Sequence, residues 1–382
     1  MKLRTIAAAA AAVGALTAAI AAPAGASSAA PARHHPFSLH RINHVFVIVE
    51  ENEGFATSFG AGSGYLAHTL PRKGLLLTNY YATGHASNDN YIAMVSGQAP
   101  NTLNQTDCIL FANFAAAVTV PGTPHQQLGP GCVYPSSIGE IGRQLTAHGL
   151  SWKAYQEDMG NLPSREARRC GHPAVGSRDQ TQSAVKGDGY ATRHDPFVYF
   201  HEVIDHPSYC NRHVVPLGSP GGAGLAHDLR HVRTTPNYVF ITPNLCHDGH
   251  DYPCHNQPSG ASRRADIDAF LRTWVPRIRR SPAFRKDGLL EITFDESEQS
   301  DAAACCGESL DVNAVDGLAG IAGRGGGRIG ALLLSPFVKP GTRSTHPYNH
   351  YSTLATDEAI FGLPRLGYAT TAEPFAGSLF RR

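Results

Sequence analysis

Residues 44–50 read HVFVIVE, and this apolar run, which passes directly into Glu51, Asn52 and Glu53, decides the fold. A short run rich in β-branched side chains and bounded by polar residues is typical of a buried strand. Three other runs share this character, and two weaker ones resemble them. The strong runs are Tyr238–Thr242, Leu289–Phe294 and Ile329–Leu334, and the weaker ones are Leu75–Tyr80 and Ser151–Tyr155.

Helical patterns lie between these runs. The best covers Ser262–Arg280, and shorter patterns cover Ile138–His148 and Ser352–Phe361. One face of the long pattern carries Ile267, Phe270, Leu271, Trp274, Val275 and Ile278. Near-continuous apolar strands that alternate with helices are typical of parallel sheets covered on both sides. The sequence therefore predicts an α/β fold with a mainly parallel central sheet and helices on both faces.

The composition excludes two broad classes of protein. The chain has 382 residues, 42% of them hydrophobic, and its formal net charge is +1. The apolar content excludes disorder of the whole chain. The near-neutral charge argues against a nucleic-acid-binding surface, which is normally strongly basic. No oligomeric state follows from these numbers.

The first 26 residues have the features of a secretory signal peptide. A positively charged start is followed by an alanine-rich apolar run and then by the small residues AGA. We expect residues 27–43 to form a leader and residues 44–382 to form a single domain of a secreted, extracellular protein. A membrane anchor is the alternative, but alanine is only weakly apolar. No later segment approaches the roughly 20 apolar residues of a spanning helix.

Eight cysteines follow the signal segment, and an even number in an exported chain favours disulfides over thiolate metal sites. Proximity in sequence suggests three pairs, and a bridge between the adjacent Cys305 and Cys306 would be strained. The three suggested pairs are Cys108–Cys132, Cys170–Cys210 and Cys246–Cys254.

Polar side chains follow three of the predicted strands directly. Because the carboxyl ends of parallel strands meet at one edge, these groups should gather where open α/β folds bind ligands. Grouped carboxylates repel one another, so we expect a divalent cation among them. The competing interpretation treats each acid as a helix cap or loop group. The residues concerned are Glu51 and Asn52, then Asp248, His250 and Asp251, then Asp295 and Glu296.

A candidate nucleophile lies in the polar turn GHASNDNY, residues 84–91, just before an apolar helical segment. One interpretation is that Ser87 does no more than cap the helix. At a helix start beside a cation, however, its hydroxyl would ionise more readily and the helix end would attract an anion. That arrangement suits attack on a phosphoryl group.

Seven segments, in this order, resemble the bacterial phosphoesterase family that includes acid phosphatase A and non-haemolytic phospholipases C. Several of them are similar to its secreted acid phosphatase branch, which includes phosphatidylinositol 3-phosphatases. The resemblance covers residues 44–369 and implies an alkaline phosphatase-like fold. The segments are HVFVIVEENEGFATSFG, SNDNYIAMVSG, SWKAYQEDM, RHDPFVYF, PNLCHDGHD, TFDESE and PYNHYSTLATDEAIFGLPRLG.

The resemblance implies a role for each polar position. Metal ligands would be Glu51, Asn52, Asp295 and Glu296. Ser87 would be the nucleophile, and Asn52 would also contact phosphate. A second metal site or an acid/base group would comprise Asp248, His250 and His350. Phosphate contact or leaving-group protonation would fall to His85, Arg193 and His194. Apart from the resemblance, Lys153 near the end of a predicted strand is a candidate to bind phosphate.

Two departures from the family pattern affect these assignments. Asp89 stands where the family commonly has proline, which leaves Thr83 as a rival nucleophile. The acidic pair Asp295–Glu296 replaces the Asp-His ligands of two-zinc relatives, which favours Ca²⁺, Mg²⁺ or Mn²⁺ over Zn²⁺.

The sequence thus predicts a secreted, metal-assisted acid phosphatase. It would hydrolyse small-molecule or lipid phosphate monoesters through a phosphoseryl intermediate. A phospholipase C-type phosphodiesterase that uses the same site is one alternative. A non-catalytic secreted binding protein that kept the fold is another.

Overall fold

The run HVFVIVE forms strand β1, His44–Glu50, in the interior of an eight-stranded sheet. Every residue of β1 is buried, so both faces of the sheet are covered at this point. The computed structural model describes residues 37–115, 125–127, 129–254, 262–306 and 325–381. The predicted signal peptide and the first ten residues of the predicted leader lie outside these ranges.

The strands of the described residues agree with the apolar runs. The strong runs are reproduced to within one or two residues, and the weak run at 75–80 divides into two strands. After β1 the strands are β2 Leu75–Leu77, β3 Tyr80–Tyr81, β4 Leu110–Phe111, β5 Trp152–Gln156, β6 Ser177–Arg178, β7 Val214–Pro216, β8 Tyr238–Thr242, β9 Gly288–Phe294, β10 Ala331–Leu334, β11 Thr342–Ser344 and β12 Tyr348–Asn349.

The sheet has the strand order β11-β2-β10-β9-β1-β8-β5-β7 and is mainly parallel, as predicted. β1 pairs in parallel with both β8 and β9, and β5 pairs in parallel with β8 and β7. The exception is β10, which runs antiparallel to its neighbours β9 and β2. Seven of the eight strands therefore run in one direction, and β10 alone runs in the other.

Helices fill the segments between the strands. They are α1 Ser87–Ser96, α2 Ile141–Ala147, α3 His201–Ile204, α4 Pro207–His213, α5 Leu225–Asp228, α6 Arg263–Arg280, α7 Pro282–Asp287 and α8 His350–Phe361. The six apolar residues predicted for one face of α6 are all buried. Each such side chain contributes on the order of 1.5–3 kcal/mol by leaving water. The predicted α/β fold with a mainly parallel sheet is confirmed.

Helix α8 begins two residues before its predicted start at Ser352. The Asn349 side chain accepts a hydrogen bond from the Ser352 N–H at 3.1 Å, and the Ser352 hydroxyl accepts one from the Asn349 N–H at 3.3 Å. This reciprocal capping satisfies two amides that the first turn leaves without partners. Ser352 is therefore the third helical residue, and His350 is the first.

Disulfides join all eight cysteines. The three predicted pairs, Cys108–Cys132, Cys170–Cys210 and Cys246–Cys254, are present. Cys305 is joined to Cys306, the pairing that the sequence left doubtful. None of the helices in the described ranges combines the length and the hydropathy needed to cross a bilayer.

Candidate functional site

The ends of β1, β8 and β9 meet at one edge of the sheet. Glu50 is opposite Phe294 in the parallel pairing, which brings the next residues, Glu51 and Asp295, side by side. The Glu51 N–H donates to the Asp248 carbonyl at 2.9 Å, and the Asp295 N–H donates to the Glu50 carbonyl at 2.9 Å. The three predicted strand ends therefore form a single cluster.

Asn52 turns the chain sharply at the end of β1. Its φ of 56° lies in the left-handed region, which asparagine tolerates better than most residues. Its backbone N–H donates to Asp295 Oδ1 at 3.0 Å, and its side-chain amide donates to Glu51 Oε2 at 3.3 Å. The strained turn thus holds the two carboxylates in fixed relation, as strain at functional sites often does.

Ser87 lies at the start of α1 with its hydroxyl directed at Glu51. The Ser87 hydroxyl donates to Glu51 Oε2 at 2.8 Å, and both side chains are buried. Ala86 occupies the N-cap position, so Ser87 does not cap the helix. The hydroxyl of the rival Thr83 instead donates to Asn90 Oδ1 at 3.0 Å.

Two histidines complete the cluster. His194 Nε2 is 3.5 Å from Glu51 Oε1, and its Nδ1 is 3.2 Å from Asp248 Oδ2. His250 lies 2.8 Å from Asp251 through Nδ1. One side-chain atom each from Glu51, His194 and His250 can come within 4.8 Å of the others, a spacing suited to a shared metal ion.

Several buried atoms of the cluster have no hydrogen-bond partner in the described residues. They are Glu51 Oε1, Asp248 Oδ2, Asp295 Oδ2 and both ring nitrogens of His194. Buried polar atoms are normally satisfied, so such a concentration in one place calls for a ligand. Carboxylate oxygens and imidazole nitrogens are the atoms that bind divalent metals. The cluster therefore fits a metal ion.

The electrostatics point the same way. Burial, and then repulsion from Asp295 and Asp248, raises the pKa of Glu51 well above its usual value. Burial also raises the pKa of Asp248 and of Asp295. Burial, followed by the nearby Arg193 and His250, lowers the pKa of His194 well below its usual value. A cation would reverse these penalties, because it stabilises the carboxylates and binds the neutral imidazole.

Arg193 brings a positive charge to the edge of the cluster. Its guanidinium is buried and donates to His250 Nε2 at 3.0 Å and to the Gln182 carbonyl at 3.0 Å. Its Nε has no hydrogen-bond partner in the described residues. Beside it, a cleft of 440 Å³ opens between His250, Tyr252 and Ser183. Among the cluster residues, His250 lines this cleft.

His85 and Glu296 form a pair next to the cluster. His85 Nδ1 is 2.8 Å from Glu296 Oε2, and its Nε2 is 3.0 Å from the Asp301 carbonyl. Glu296, predicted as a metal ligand, therefore faces an imidazole on at least one of its oxygens. His85, predicted to contact phosphate, has both ring nitrogens occupied.

His350 lies behind Asp295, away from Ser87's immediate partners. Its Nε2 is 2.7 Å from the Asp295 carbonyl oxygen, and its Nδ1 is 3.1 Å from the Tyr80 hydroxyl. Burial lowers the pKa of His350 to about 4, so the ring is neutral. The predicted acid/base or metal role needs a free nitrogen, whereas one nitrogen of this ring contacts the Asp295 backbone and the other contacts the Tyr80 hydroxyl.

Lys153 lies outside the cluster. Its amino group is 2.6 Å from Asp228 Oδ2, in a different cavity beside β5 and β7. Lys153 occupies the second position of β5 and not its carboxyl end, where the other polar groups gather. The sequence placed it too near the end of its strand.

Tyr91 belongs to the cluster, although the sequence predicts no role for it. Tyr91 stacks on His194 with ring centroids 5.1 Å apart and 8° between planes. The sequence predicts that His194 contacts phosphate or protonates the leaving group, whereas its side chain lies with those of Glu51 and His250. The segment RHDPFVYF identifies His194 as a candidate, but the sequence does not show that Glu51 and Asp248 from other elements lie beside it.

Comparisons with known proteins identify the family of this chain. The model of the phosphoesterase family matches residues 65–364. A phosphate-repressible acid phosphatase from Penicillium chrysogenum is 26% identical over 298 residues, which are 78% of this chain and 54% of that protein. A phosphatidylinositol-3-phosphatase from Mycobacterium tuberculosis is 25% identical over 332 residues, 87% of this chain and 81% of that protein. The chain thus spans about half the length of the Penicillium relative.

Among solved structures, one similar chain is a Vibrio parahaemolyticus protein in the alkaline phosphatase superfamily. The TM-score is 0.49 at 13% identity, and the match covers 88% of this chain and 71% of that one.

Proposed function

The chain belongs to the phosphoesterase family, and from that premise we propose that it is an acid phosphatase that hydrolyses phosphate monoesters with a divalent metal ion. The observation that carries the proposal is the Ser87 hydroxyl, 2.8 Å from Glu51, at the start of a helix. Carboxylate and imidazole atoms without partners surround it. The similar proteins are acid phosphatases and a phosphatidylinositol-3-phosphatase, which supports phosphate ester hydrolysis as the reaction.

The metal would be held by Glu51, His194 and His250, with Asp248 and Asp295 beside them. To bind the ion, His250 Nε2 would give up its 3.0 Å contact with the Arg193 guanidinium. When bound, the cation lowers the pKa of a coordinated hydroxyl and holds oxygens of the phosphate. Two imidazoles and a carboxylate favour Zn²⁺ over Ca²⁺ or Mg²⁺, which prefer oxygen ligands. The sequence favours Ca²⁺, Mg²⁺ or Mn²⁺ because Asp295 and Glu296 offer only oxygen ligands, whereas the set proposed here includes two imidazoles.

Ser87 would act as the nucleophile. As Oγ forms its bond to phosphorus, the hydroxyl proton passes to Glu51 Oε2, which already accepts its hydrogen bond. The bond from phosphorus to the leaving alcohol breaks, and the alcohol takes a proton from solvent. Water then attacks the phosphorus and the bond from phosphorus to Ser87 Oγ breaks. Glu51 returns its proton to Oγ, and the attacking water releases one proton to solvent as inorganic phosphate forms.

Arg193 and Asn52 would bind the phosphate. The Arg193 guanidinium is buried, its Nε lies 3.8 Å from Asp107 Oδ2 without a hydrogen bond, and guanidinium groups bind phosphate oxygens strongly. The Asn52 side-chain amide donates to Glu51 Oε2, its backbone N–H donates to Asp295 Oδ1, and the residue is partly exposed. These two side chains would fix the phosphorus in line with Ser87, which is the main contribution that positioning makes to rate.

Variants at three hydroxyls test the proposal with p-nitrophenyl phosphate as substrate. Ser87→Ala should lower kcat about 10³-fold or more, because it removes the nucleophile. Thr83→Ala should retain turnover within a few-fold. Ser96→Ala, at the other end of the same helix, is the matched control and should be unaffected. Normal turnover in Ser87→Ala would refute the role of this residue.

Metal dependence has its own test. Chelator treatment of the purified protein should remove turnover, and Zn²⁺ should restore it better than Ca²⁺ or Mg²⁺ does. Metal content should be measured on the same samples. Full turnover in protein shown to be metal-free would contradict the metal-assisted reaction.

We propose further that the protein is secreted. The features of residues 1–26 support export, and four disulfides in the described residues fit an oxidising compartment. N-terminal sequencing of protein recovered from the culture medium should begin at Ser27. Recovery only from the cell interior, with Met1 present, would contradict secretion.

A further inference from the structure

A second cavity, which shares no lining residue with the metal cluster, lies beside β5 and β7. Its volume is 730 Å³, which is within the range of small-molecule sites. Its lining includes Lys153, Arg168, Arg169 and Arg212, whereas Asp228 is the one acidic residue among the described residues that line it. The cavity is therefore strongly positive in a chain whose formal net charge is only +1.

Asp228 is already engaged by other groups. Its Oδ2 is 2.6 Å from the Lys153 amino group and accepts the Tyr155 hydroxyl hydrogen at 2.6 Å. Its Oδ1 is 3.1 Å from His227 Nδ1. Although burial alone would raise it, these hydrogen bonds hold the pKa of Asp228 below its usual value, so the carboxylate is charged. Asp228 thus neutralises Lys153 and leaves the three arginines.

None of the three guanidinium groups has an acidic partner within the described part of the chain. The only hydrogen bond found for these groups there runs from Arg169 to the uncharged Asn211 carbonyl, at 3.3 Å. Arg168 and Arg212 form no ion pair with any described residue, whereas Lys153 in the same lining pairs with Asp228. All three arginines are exposed, so solvent screens much of the repulsion among their charges, and a bound anion would add direct charge-assisted hydrogen bonds.

The cations are held by a covalent frame. Arg169 directly precedes Cys170, and Arg212 follows Cys210 by two residues, and these cysteines form a disulfide with their Cα atoms 5.4 Å apart. The Cys170 N–H also donates to the Val214 carbonyl in β7 at 3.1 Å. Two arginine-bearing segments are therefore fixed to each other and to the sheet edge. Such preorganisation lowers the entropy cost of binding a ligand.

We propose that this cavity is a second anion site, distinct from the catalytic cluster, that binds a small molecule carrying two or more phosphate groups. Arginine pairs with phosphate through two parallel hydrogen bonds, and the three guanidinium charges exceed the charge of about −2 that one phosphate group carries near pH 7. A single phosphate is also small for a space of this volume. The only carboxylate in the described lining is engaged, which suits binding and not hydrolysis.

Calorimetric titration with methylenediphosphonate tests this site. The probe has two phosphonate groups joined through carbon, so a phosphatase has no ester to cleave. Arg168→Ala/Arg212→Ala should weaken the cavity binding event at least about tenfold, because it removes two charge-assisted contacts. Binding should also weaken as salt is raised. Any binding at the metal cluster should be the same in both proteins.

A matched control keeps the charge change equal. Arg285→Ala/Arg343→Ala removes two exposed arginines elsewhere and should bind within two-fold of the wild type. Asp228→Asn should bind more tightly, because it removes the one negative charge of the lining. Arg212→Gln alone should already show a loss. Identical titrations for the wild type and Arg168→Ala/Arg212→Ala, or no binding to the wild type, would overturn the proposal. An equal loss in the control pair would do so as well.

Discussion

At the scale of single residues, the proposed function depends most on the negative charge of Glu51. Glu51 accepts the Ser87 hydrogen bond, lies near His194 and has a free oxygen in a buried setting. Its neighbour Glu53 instead lies 3.8 Å from Arg263, outside the cluster. Two acids separated by a single residue thus have different surroundings, and the strained Asn52 between them sets the difference.

Glu51→Gln should therefore abolish both metal binding and phosphatase turnover. Glutamine keeps the volume and one oxygen acceptor but loses the negative charge that a divalent ion needs. Elemental analysis of the purified variant should show little metal, and kcat should fall about 10²-fold or more. Glu53→Gln is the control and should keep both. A Glu51→Gln protein with full metal content and normal kcat would contradict this assignment.

Membership of the cluster could be predicted from the sequence for most of its residues, because its carboxylates follow apolar strands. Glu51, Asp248 and Asp295 are where the strand-end argument placed them. His350 and Lys153 were not predictable in this way. The first is turned to the Asp295 backbone by Tyr80 from a distant strand, and the second depends on Asp228 in a helix 75 residues away. Such partners are set by tertiary packing, which sequence spacing does not report.

At the scale of elements, helix α8 links stability to the site. It starts at the capped Asn349 and its first residue, His350, contacts the Asp295 carbonyl. Asn349→Ala removes the cap and should lower the free energy of unfolding by about 1 kcal/mol. Urea denaturation measures this loss. A Ser344→Ala variant in the short edge strand β11 is the comparison, and an equal loss there would show that the effect is not specific to the cap.

Helix α2 carries a pH-dependent element at its start. Burial raises the pKa of the capping residue Glu140 to about 8, although its carboxylate accepts the N–H groups of Gly142 and Arg143. In the unfolded chain the pKa is near 4.5. The folded state thus retains a proton that the unfolded state loses. Stability should fall as pH rises from about 4.5 to about 8 and then level off.

Glu140→Gln isolates this contribution. The amide cannot ionise, so the wild type should lose stability relative to the variant by up to about 1.4 kcal/mol per pH unit within that window. Chemical denaturation at several pH values between 4.5 and 8 measures the difference. Glu373→Gln, at an exposed site, is the control. A constant difference between wild type and Glu140→Gln across the window would contradict the raised pKa.

At the scale of the whole molecule, the disulfides differ in how much chain they close. Cys170–Cys210 spans 40 residues, whereas Cys305–Cys306 joins neighbours. In the chain-entropy view, removing the first by Cys170→Ala/Cys210→Ala should cost about 4 kcal/mol, and removing the second about 1 kcal/mol or less. Thermal unfolding should show a clearly lower Tm for the first pair of substitutions. Equal Tm losses would argue against loop closure as the source of stability.

The overall architecture was predictable because the apolar runs are long enough to specify buried strands, and β1, β8 and β9 form where the sequence places them. The antiparallel direction of β10 was not predictable, since burial on both faces leaves the same pattern in either direction. Its position between β9 and the short β2 depends on long-range pairing. Strand identity is thus a local property, whereas strand direction is decided by the whole fold.

The most direct test of the account is to trap the covalent intermediate. Metal-loaded protein should be mixed with p-nitrophenyl phosphate, quenched in acid during turnover, digested and analysed by mass spectrometry. The account predicts a phosphoryl group on the peptide that contains Ser87, lost in Ser87→Ala and retained in the Ser96→Ala control. A phosphoryl group on another residue in actively turning-over protein would contradict it.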